Sequence, residues 1–383
     1  MRPVIAISIV LGAAFCVGVG ACSSTNNSTG FPDGSSSSGG SSGSGSSSGG
    51  GSGGGSGSSG SGSSSGSLAG DGGTVVDEGG DGGTTIINTI YAHTDTTLYS
   101  VDPATKAVTT IGPFSGTSDS STDSAVTDLA VDANGDVYVN TESVVYKCTL
   151  PTSIPGTVLL TKIATIQSSS KFYALAFAPA GALDPNNETL VGGDSAGNLW
   201  SIDTTTGAAV NLGNFGKDKS VGDGGTNTFE LSGDLVFYLD SSNNPTGLAT
   251  IRSCPAGGSG SECKGDYLAG VDMTALKTAY TSGTAATSLL GGIYGGSSSG
   301  PGNGTGYADV FGLGAWNSQV FGFSRHTGSG STVVAPSIIS IDTTSGVGSL
   351  ISNSFTFTNG WSGAGVTTKV IISVPKPPPP PAQ

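Results

Sequence analysis

The chain has 383 residues, of which 10% are charged and 66 are glycine, and its net charge is −14, from 13 basic and 27 acidic residues. A surplus of negative charge repels phosphate backbones, so the composition excludes nucleic acid as a partner. It favours instead a protein that stays soluble outside the cell.

The first residues have the pattern of a secretion signal. Arg2 supplies a positive start, residues 4–19 are apolar but too short to cross a bilayer comfortably, and VGAC ends at Cys22. This pattern resembles the lipobox of bacterial lipoproteins, which implies cleavage after residue 21 and a lipid on Cys22. Ordinary secretion without a lipid is the alternative. Ser23 is not an aspartate-type retention signal, so the resemblance implies an outer-membrane anchor, periplasmic or at the cell surface.

A tether follows the anchor. Residues 22–84 consist mostly of serine and glycine and contain almost nothing apolar to bury, which predicts a disordered linker. At the other end, residues 375–383 are rich in proline, which cannot join a sheet. The folded domain is therefore expected over residues 85–374.

Three similar stretches repeat within that domain. They are LYSVDPATKAVTTIG from Leu98, LWSIDTTTGAAVNLG from Leu199 and IISIDTTSGVGSLIS from Ile338. Each alternates like a strand, turns at an aspartate and continues as a second strand, which predicts a β-hairpin. Weaker copies end at Thr149 and Asp272.

A second repeated element lies between the hairpins and has a small residue at its third position. Its five copies are DLAVD from Asp128, ALAFA from Ala174, ELSGD from Glu230, GLGAW from Gly312 and GAGVT from Gly363. The copies recur at spacings of about 46, 56, 82 and 51 residues, close to the 40–50 residues of a propeller blade. Small residues suit the crowded strands nearest a propeller axis.

The repeats predict an all-β fold, a β-propeller of about five blades. The first hairpin precedes any inner strand and the last inner strand has no hairpin after it, so the two are expected to share one blade and close the ring. The long interval leaves room for a sixth blade. A β-sandwich would explain many strands but not their regular repetition.

Three stretches carry a family resemblance: SGDL from Ser232, GYADVFGLGAWNSQVFGFS from Gly306 and WSGAGVTT from Trp361. They resemble secreted bacterial propellers of the broad quinoprotein, NHL and YVTN type, and most of all uncharacterised propeller lipoproteins of myxobacterium-like bacteria. The resemblance covers residues 85–374 and the lipobox. It implies a fold but no activity, because no cofactor-binding residue of the quinoprotein enzymes has a counterpart here.

The cysteines agree with an oxidising compartment. Cys254 and Cys263 flank a short flexible loop, and we expect a disulfide between them rather than two free thiols. Cys148 falls in the column of apolar residues that the hairpins share, which predicts a buried, unreactive side chain.

Candidate catalytic motifs are weak. GDSAG around Ser195 matches a nucleophile motif but lies between two predicted strands, where it indicates a hairpin turn. DANGD, from Asp132, is similar to a calcium loop, yet its Asn-Gly favours a turn. The histidines, His93 and His326, are isolated in the sequence and do not predict a zinc site.

One set of carboxylates remains as a candidate ligand or metal site. Asp128 and Glu230 align in one column of the inner strands, and Asp132 and Asp234 lie four residues further on the same face. Carboxylates that converge near the axis would bind Ca²⁺. Solvated strand ends are the alternative, so the expected cofactor is none or Ca²⁺.

The sequence therefore favours a monomeric, membrane-anchored propeller that binds an unknown protein, peptide or glycan and catalyses no reaction. The alternative is a calcium-assisted hydrolase or lactonase. With few histidines and no clustered ligands in the sequence, we assign no catalytic residue and expect no tightly bound transition metal.

Overall fold

The computed structural model describes ten ranges of the chain, to which all structural statements below refer. They are 74–75, 86–87, 89–117, 123–219, 227–255, 263–294, 309–317, 319–325, 335–357 and 360–369. Cys22, the predicted signal peptide and the proline-rich tail lie outside them. Within the predicted tether, β1 (Thr74–Val75) is described, and it pairs with β2 (Ile86–Ile87). No helix in these ranges is long and apolar enough to cross a bilayer.

Five four-stranded antiparallel units form the blades of a β-propeller, and a short parallel pairing of Phe114 and Ser115 with Val158 and Leu159 joins the outer strands of blades 1 and 2 into one eight-stranded sheet. Blade 2 contains β6 (Asp128–Val131), β7 (Val137–Asn140), β8 (Val144–Thr149) and β9 (Val158–Thr165). Blade 3 contains β10 (Phe172–Ala178), β11 (Thr189–Asp194), β12 (Asn198–Ile202) and β13 (Ala209–Asn214). Blade 4 contains β14 (Thr228–Leu239), β15 (Pro245–Cys254), β16 (Lys264–Val271) and β17 (Leu290–Ile293). Blade 5 contains β18 (Val310–Trp316), β19 (Gln319–Ser324), β20 (Ser337–Ile341) and β21 (Gly348–Ser352).

Blade 1 combines the two ends of the domain. Its strands from the axis outward are β22 (Gly363–Val366), β3 (Ile90–His93), β4 (Thr97–Val101) and β5 (Val108–Ser115). Gly363 pairs with His93, and Val366 pairs with Ile90. The C-terminal inner strand thus completes the N-terminal blade, as the offset of the repeats predicted. The first strands of neighbouring blades contact each other around the whole ring.

The long interval between the third and fourth inner strands contains no sixth blade in its described part. It holds the last three strands of blade 4 and one helix, α1 (Met273–Ser282). Asp272, which was expected to open a hairpin turn, instead caps this helix by accepting bonds from the backbone N–H groups of Thr274 and Ala275. The helix ends at Gly283, whose φ of 66° is left-handed.

The other hairpin turns follow the prediction. Asp102, Asp203 and Asp342 each accept hydrogen bonds from two backbone N–H groups of the turn that follows, at 2.7–3.0 Å. These bonds satisfy N–H groups that the sheet leaves unpaired. The fifteen-residue repeat is therefore the third and fourth strand of a blade with an aspartate-stabilised turn between them.

The predicted disulfide and the predicted burial of Cys148 are confirmed. Cys254, the last residue of β15, and Cys263, which precedes β16, form a disulfide. Cys148 is 7% exposed and belongs to the apolar column. The equivalent buried residues of the other blades are Val101, Ile202, Val271 and Ile341.

Candidate functional site

Three polar side chains from three blades meet at the propeller axis, and we call them the axial cluster. Asp128 is the first residue of β6, Asp234 lies within β14, and His93 is the last residue of β3. Each is 0% exposed. The two carboxyl groups lie within hydrogen-bonding reach of each other, and Nε2 of His93 is 4.0 Å from Oδ1 of Asp128.

The two aspartates occupy equivalent positions in their blades. Oδ2 of Asp128 accepts a 2.6 Å bond from the backbone N–H of Leu175 in blade 3. Oδ2 of Asp234 accepts a 2.7 Å bond from the backbone N–H of Leu313 in blade 5. Each carboxyl group therefore links its inner strand to that of the next blade, and both aspartates begin the dipeptide DL.

Glu230 does not share the column of Asp128, contrary to the alignment of the repeats. The pairing of β14 with β15 shifts register between Leu231 and Leu235, so β14 contains extra residues before its axial part. The segment DLVF from Asp234 is thus the structural counterpart of DLAV from Asp128. Glu230 lies outside the cluster, with a carboxyl oxygen 4.0 Å from the guanidinium of Arg252.

Asp132 also lies outside the axial cluster. Its Oδ1 accepts bonds from the backbone N–H groups of Asn134 and Asp136, at 2.8 and 2.9 Å. DANGD therefore forms the predicted turn, between β6 and β7. Of the four carboxylates that the sequence put forward, the structure brings together Asp128 and Asp234 alone.

Burial controls the protonation of the two aspartates. Loss of water raises the pKa of Asp128 well above its ordinary value, and the neighbouring Asp234 carboxyl raises it further. Burial also raises the pKa of Asp234, although its hydrogen bonds to Asp128 and to backbone N–H groups oppose that shift. Two adjacent carboxylates cannot both ionise cheaply without water, so the pair shares a proton.

His93 is neutral, and it donates a hydrogen bond through one ring nitrogen only. Its Nδ1 donates a 2.9 Å bond to the backbone oxygen of Thr94, which leaves Nε2 as the unprotonated nitrogen. Burial lowers the pKa of His93 to about 4. Among the described residues, neither Nε2 of His93 nor Oδ1 of Asp128 has a hydrogen-bond partner.

Gly363 makes this approach feasible. A Cβ atom at that position would lie 2.1 Å from Oδ1 of Asp128 and 2.4 Å from Nε2 of His93. Any larger residue would therefore push the two side chains apart. Gly363, the small residue at the start of this inner strand, therefore leaves room for the side chains of the axial cluster.

The channel along the axis is nearly filled by side chains. It has a cavity volume of about 10 Å³ and is lined by residues of β6, β10, β14 and β22. This is room for about one water molecule. A substrate of several atoms cannot reach the axial cluster through it.

An open groove lies on blade 3, at the end of the ring where the inner strands finish. It has a volume of about 450 Å³. Phe177, Leu190 and Ile202 line its buried floor, and Val210 on β13 is 44% exposed. Helix α1 contributes Tyr280 to its wall.

The rim of this blade-3 groove is acidic. Asp184, Glu188 and Asp203 line it. The helix is joined to the neighbouring loop by a 2.9 Å bond from Nζ of Lys277 to the backbone oxygen of Gly181. The groove therefore combines an apolar floor that includes Phe177, the ring of Tyr280 in its wall and a negative rim, a composition suited to ligands without net negative charge.

The nucleophile motif is a turn, as expected. Ser195 lies between β11 and β12, where Oδ1 of Asp194 accepts bonds from the backbone N–H groups of Ala196 and Asn198. Gly197 takes a left-handed φ of 78°. This is a strand–turn–strand segment, and a nucleophile elbow requires a helix after the serine.

No family model matches the chain, and no curated protein matches it. Solved structures that resemble it include a protein of unknown function from Bacteroides caccae, at 8% identity and a TM-score of 0.34, over 72% of this chain and 97% of the other. BamB from Moraxella catarrhalis is 10% identical with a TM-score of 0.27, over 67% of this chain and 70% of BamB. Virginiamycin B lyase from Staphylococcus aureus is 10% identical with a TM-score of 0.27, over 70% of this chain and 64% of the lyase. All three TM-scores are below 0.5, so the fold assignment rests on the strand pairing of the chain itself.

Proposed function

We propose that this chain is an outer-membrane lipoprotein, anchored through Cys22, whose propeller binds a protein, peptide or glycan at the blade-3 groove without chemical turnover. The proposal rests on the difference in solvent access between the axial cluster and the blade-3 groove. The axial cluster is fully buried, whereas the groove is open and has a volume of about 450 Å³.

The burial of the axial cluster supports binding over hydrolysis. A hydrolase needs a base or a metal-bound water within hydrogen-bond reach of its substrate. Asp128 and Asp234 are the carboxylates that a calcium-assisted hydrolase would use here, yet both are 0% exposed. The closeness of the two carboxyl groups to each other is the one observation that favours the hydrolase alternative.

The character of the groove limits the ligand. Its acidic rim repels anionic polymers, while Tyr280 offers a ring on which a sugar or a proline could stack. The disulfide between Cys254 and Cys263 supports an extracytoplasmic location, since such bonds persist in oxidising compartments.

The anchor is tested with Cys22→Ser. We expect the wild-type chain to incorporate labelled fatty acid and to fractionate with outer membranes, and the variant to do neither. A wild-type chain that is soluble and unacylated would remove the lipoprotein part of the proposal.

The groove is tested on arrays of synthetic peptides and glycans with Val210→Lys. The matched control is Val347→Lys, because Val347 is 50% exposed on blade 5, away from the groove. We expect array binding that Val210→Lys loses and Val347→Lys keeps. Equal binding by Val210→Lys and the wild type would reject the groove. Turnover of a lactone or ester that the double variant Asp128→Ala, Asp234→Ala loses would establish the hydrolase instead.

A further inference from the structure

We propose that the blade-3 groove is the docking site for the proline-rich tail of the same chain, residues 375–383, and that the tail covers the groove until an outside ligand displaces it. The inference rests on the proposed function in one respect, since it takes the groove as a binding surface, and it adds a specific occupant. The place where the described chain ends, the charges of the groove and the tail, and the conformation of consecutive prolines all support it.

The described part of the chain ends at the edge of the groove. After β22, Oγ1 of Thr368 donates a hydrogen bond to one carboxyl oxygen of Glu188. The other carboxyl oxygen accepts a 2.9 Å bond from the backbone N–H of Ala133, in the turn after β6. Glu188 also lines the groove. The residues that follow Lys369 therefore start beside the groove.

The remaining chain is long enough to cross the groove. Residues 370–374 span at most about 17 Å when extended, and residues 375–383 span about 28 Å as a polyproline helix. The groove has a volume of about 450 Å³, which suits a short peptide segment rather than the whole tail. A few prolines in contact with its floor are therefore sufficient.

The charges of the tail and the groove are complementary. Lys376 is the only charged side chain of residues 375–383, whereas Asp184, Glu188 and Asp203 line the rim. Hydrogen bonds from backbone N–H groups lower the pKa of Asp184 and of Asp203, so both carboxyl groups are ionised at neutral pH. The tail thus brings one positive side chain and no negative one to an acidic rim.

Consecutive prolines suit an apolar groove with aromatic rings. Residues 377–381 are all proline, which favours a polyproline helix and lowers the conformational entropy lost on docking. Grooves that recognise such helices are lined by aromatic side chains. Phe177 and Tyr280 provide rings here, and a docked tail would also cover Val210, which is 44% exposed.

The experiment compares the full chain with a shortened variant that lacks residues 375–383. Fluorescence anisotropy measures the binding of a labelled peptide, residues 374–383, to each protein. A tail attached beside its site has an effective concentration of about 1 mM, so a peptide Kd of about 0.1 mM would keep the tail docked in about nine of ten molecules. The shortened variant should therefore bind the peptide about ten times more tightly than the full chain. A peptide with glycine and serine at residues 377–381 should not bind.

Variants locate the binding site. In the shortened variant, Tyr280→Ala and Val210→Lys should each lose at least nine-tenths of the affinity for the peptide. Val347→Lys is the matched control and should keep it, because Val347 is 50% exposed on blade 5, away from the groove. In the full chain, Lys376→Glu should release the tail and raise the affinity for the wild-type peptide towards that of the shortened variant.

A photo-reactive residue tests docking in the full chain without removing any groove residue. Benzoylphenylalanine in place of Pro379 should cross-link within one molecule to segments that contain Tyr280 or Val210, as identified by mass spectrometry. Cross-links to another blade would overturn the proposal. Cross-links between two molecules would show that the occupant is the tail of a second copy, and they would reject docking within one chain.

Failure of this inference is distinguishable from failure of the proposed function. Equal binding of the peptide by the full chain and the shortened variant would overturn the docking of the tail, and so would binding that Tyr280→Ala and Val210→Lys both keep. If the shortened variant binds compounds on the arrays but not the peptide, the groove is a ligand site and the tail is not its occupant. If it binds the peptide and no array compound, the tail docks there and the proposed outside ligand is rejected.

Discussion

Asp128 and Asp234 lie beside each other at the axis, although they belong to blades 2 and 4, and each accepts a backbone hydrogen bond from the next blade. They replace, in two of the five blades, the small residues that begin the axial part of the other inner strands. The cluster joins non-adjacent blades, so its protonation is coupled to the stability of the whole ring.

The protein should lose stability as the pH rises above 6.5. Both aspartates have a pKa raised above the unfolded value, so the folded state binds more protons and stability falls as the pH increases through the folded pKa. The buried Asp266, whose pKa is also raised, adds to this trend. His93 has a lowered pKa and costs stability as the pH falls below 6.5, so it is silent in this window.

Urea midpoints measured between pH 6.5 and 8.5 test this expectation. Release of one proton corresponds to about 1.4 kcal/mol per pH unit. Asp128→Asn should flatten the slope, because its amide resembles the protonated carboxyl group, while Asp342→Asn should leave it unchanged. A wild-type stability that rises with pH across this range would contradict the shared proton.

Much of the fold could be predicted because it follows from repetition. The hairpins, the inner strands and the shared blade all appear as periodic patterns, and the closure even implies the position of His93. Once β22 is known to pair with β3 in antiparallel fashion, GAGV lies against IYAH, and His93 falls opposite Gly363. His93 was not predicted to join the axial cluster because its position was judged without this strand pairing.

The remaining errors have local physical causes. The register shift in β14 moves the axial position from Glu230 to Asp234, and no composition signal marks such a bulge. The dipeptide DL, which occurs at both Asp128 and Asp234, is the sequence signal that could have identified the axial position in β14. Helix α1 was missed because Asp272 suits a turn and a helix cap equally well.

Gly363→Ala should destabilise the propeller by about 1–3 kcal/mol, the usual cost of overpacking. The added methyl group would overlap Oδ1 of Asp128 and Nε2 of His93. Gly283→Ala serves as a comparison, since a Cβ there meets no atom within 4 Å and only its φ of 66° is unfavourable. Denaturant titration gives both values, and equal or smaller destabilisation by Gly363→Ala would mean that the cluster tolerates the methyl group.

Native Cys148 should resist alkylation. It is 7% exposed, and burial raises its pKa to about 12, so almost no thiolate is available at neutral pH. Iodoacetamide at pH 8 should label it only after unfolding, whereas Cys254 and Cys263 should react only after reduction. Intact-mass measurement follows both reactions, and rapid labelling of the folded, unreduced protein would show that the apolar column opens readily.

Removal of residues 361–374 should unfold the domain rather than shorten it. The deletion takes away β22, whose four residues pair with β3 and contact the inner strands of blades 2 and 5. It also removes Trp361, which is 0% exposed and packs against Tyr99 and Phe323. Inner edges of blade 1 and of its neighbours would then be open to solvent or to other chains.

The control deletes residues 375–383, which follow the folded domain predicted from the sequence. Circular dichroism and calorimetry should show a cooperative transition for this control and none for the longer deletion. The ring closes through one four-residue strand and is expected to unfold as a single cooperative unit. We therefore expect the longer deletion to abolish the transition rather than weaken it. A cooperative transition retained by the longer deletion would show that the propeller holds together without the shared blade.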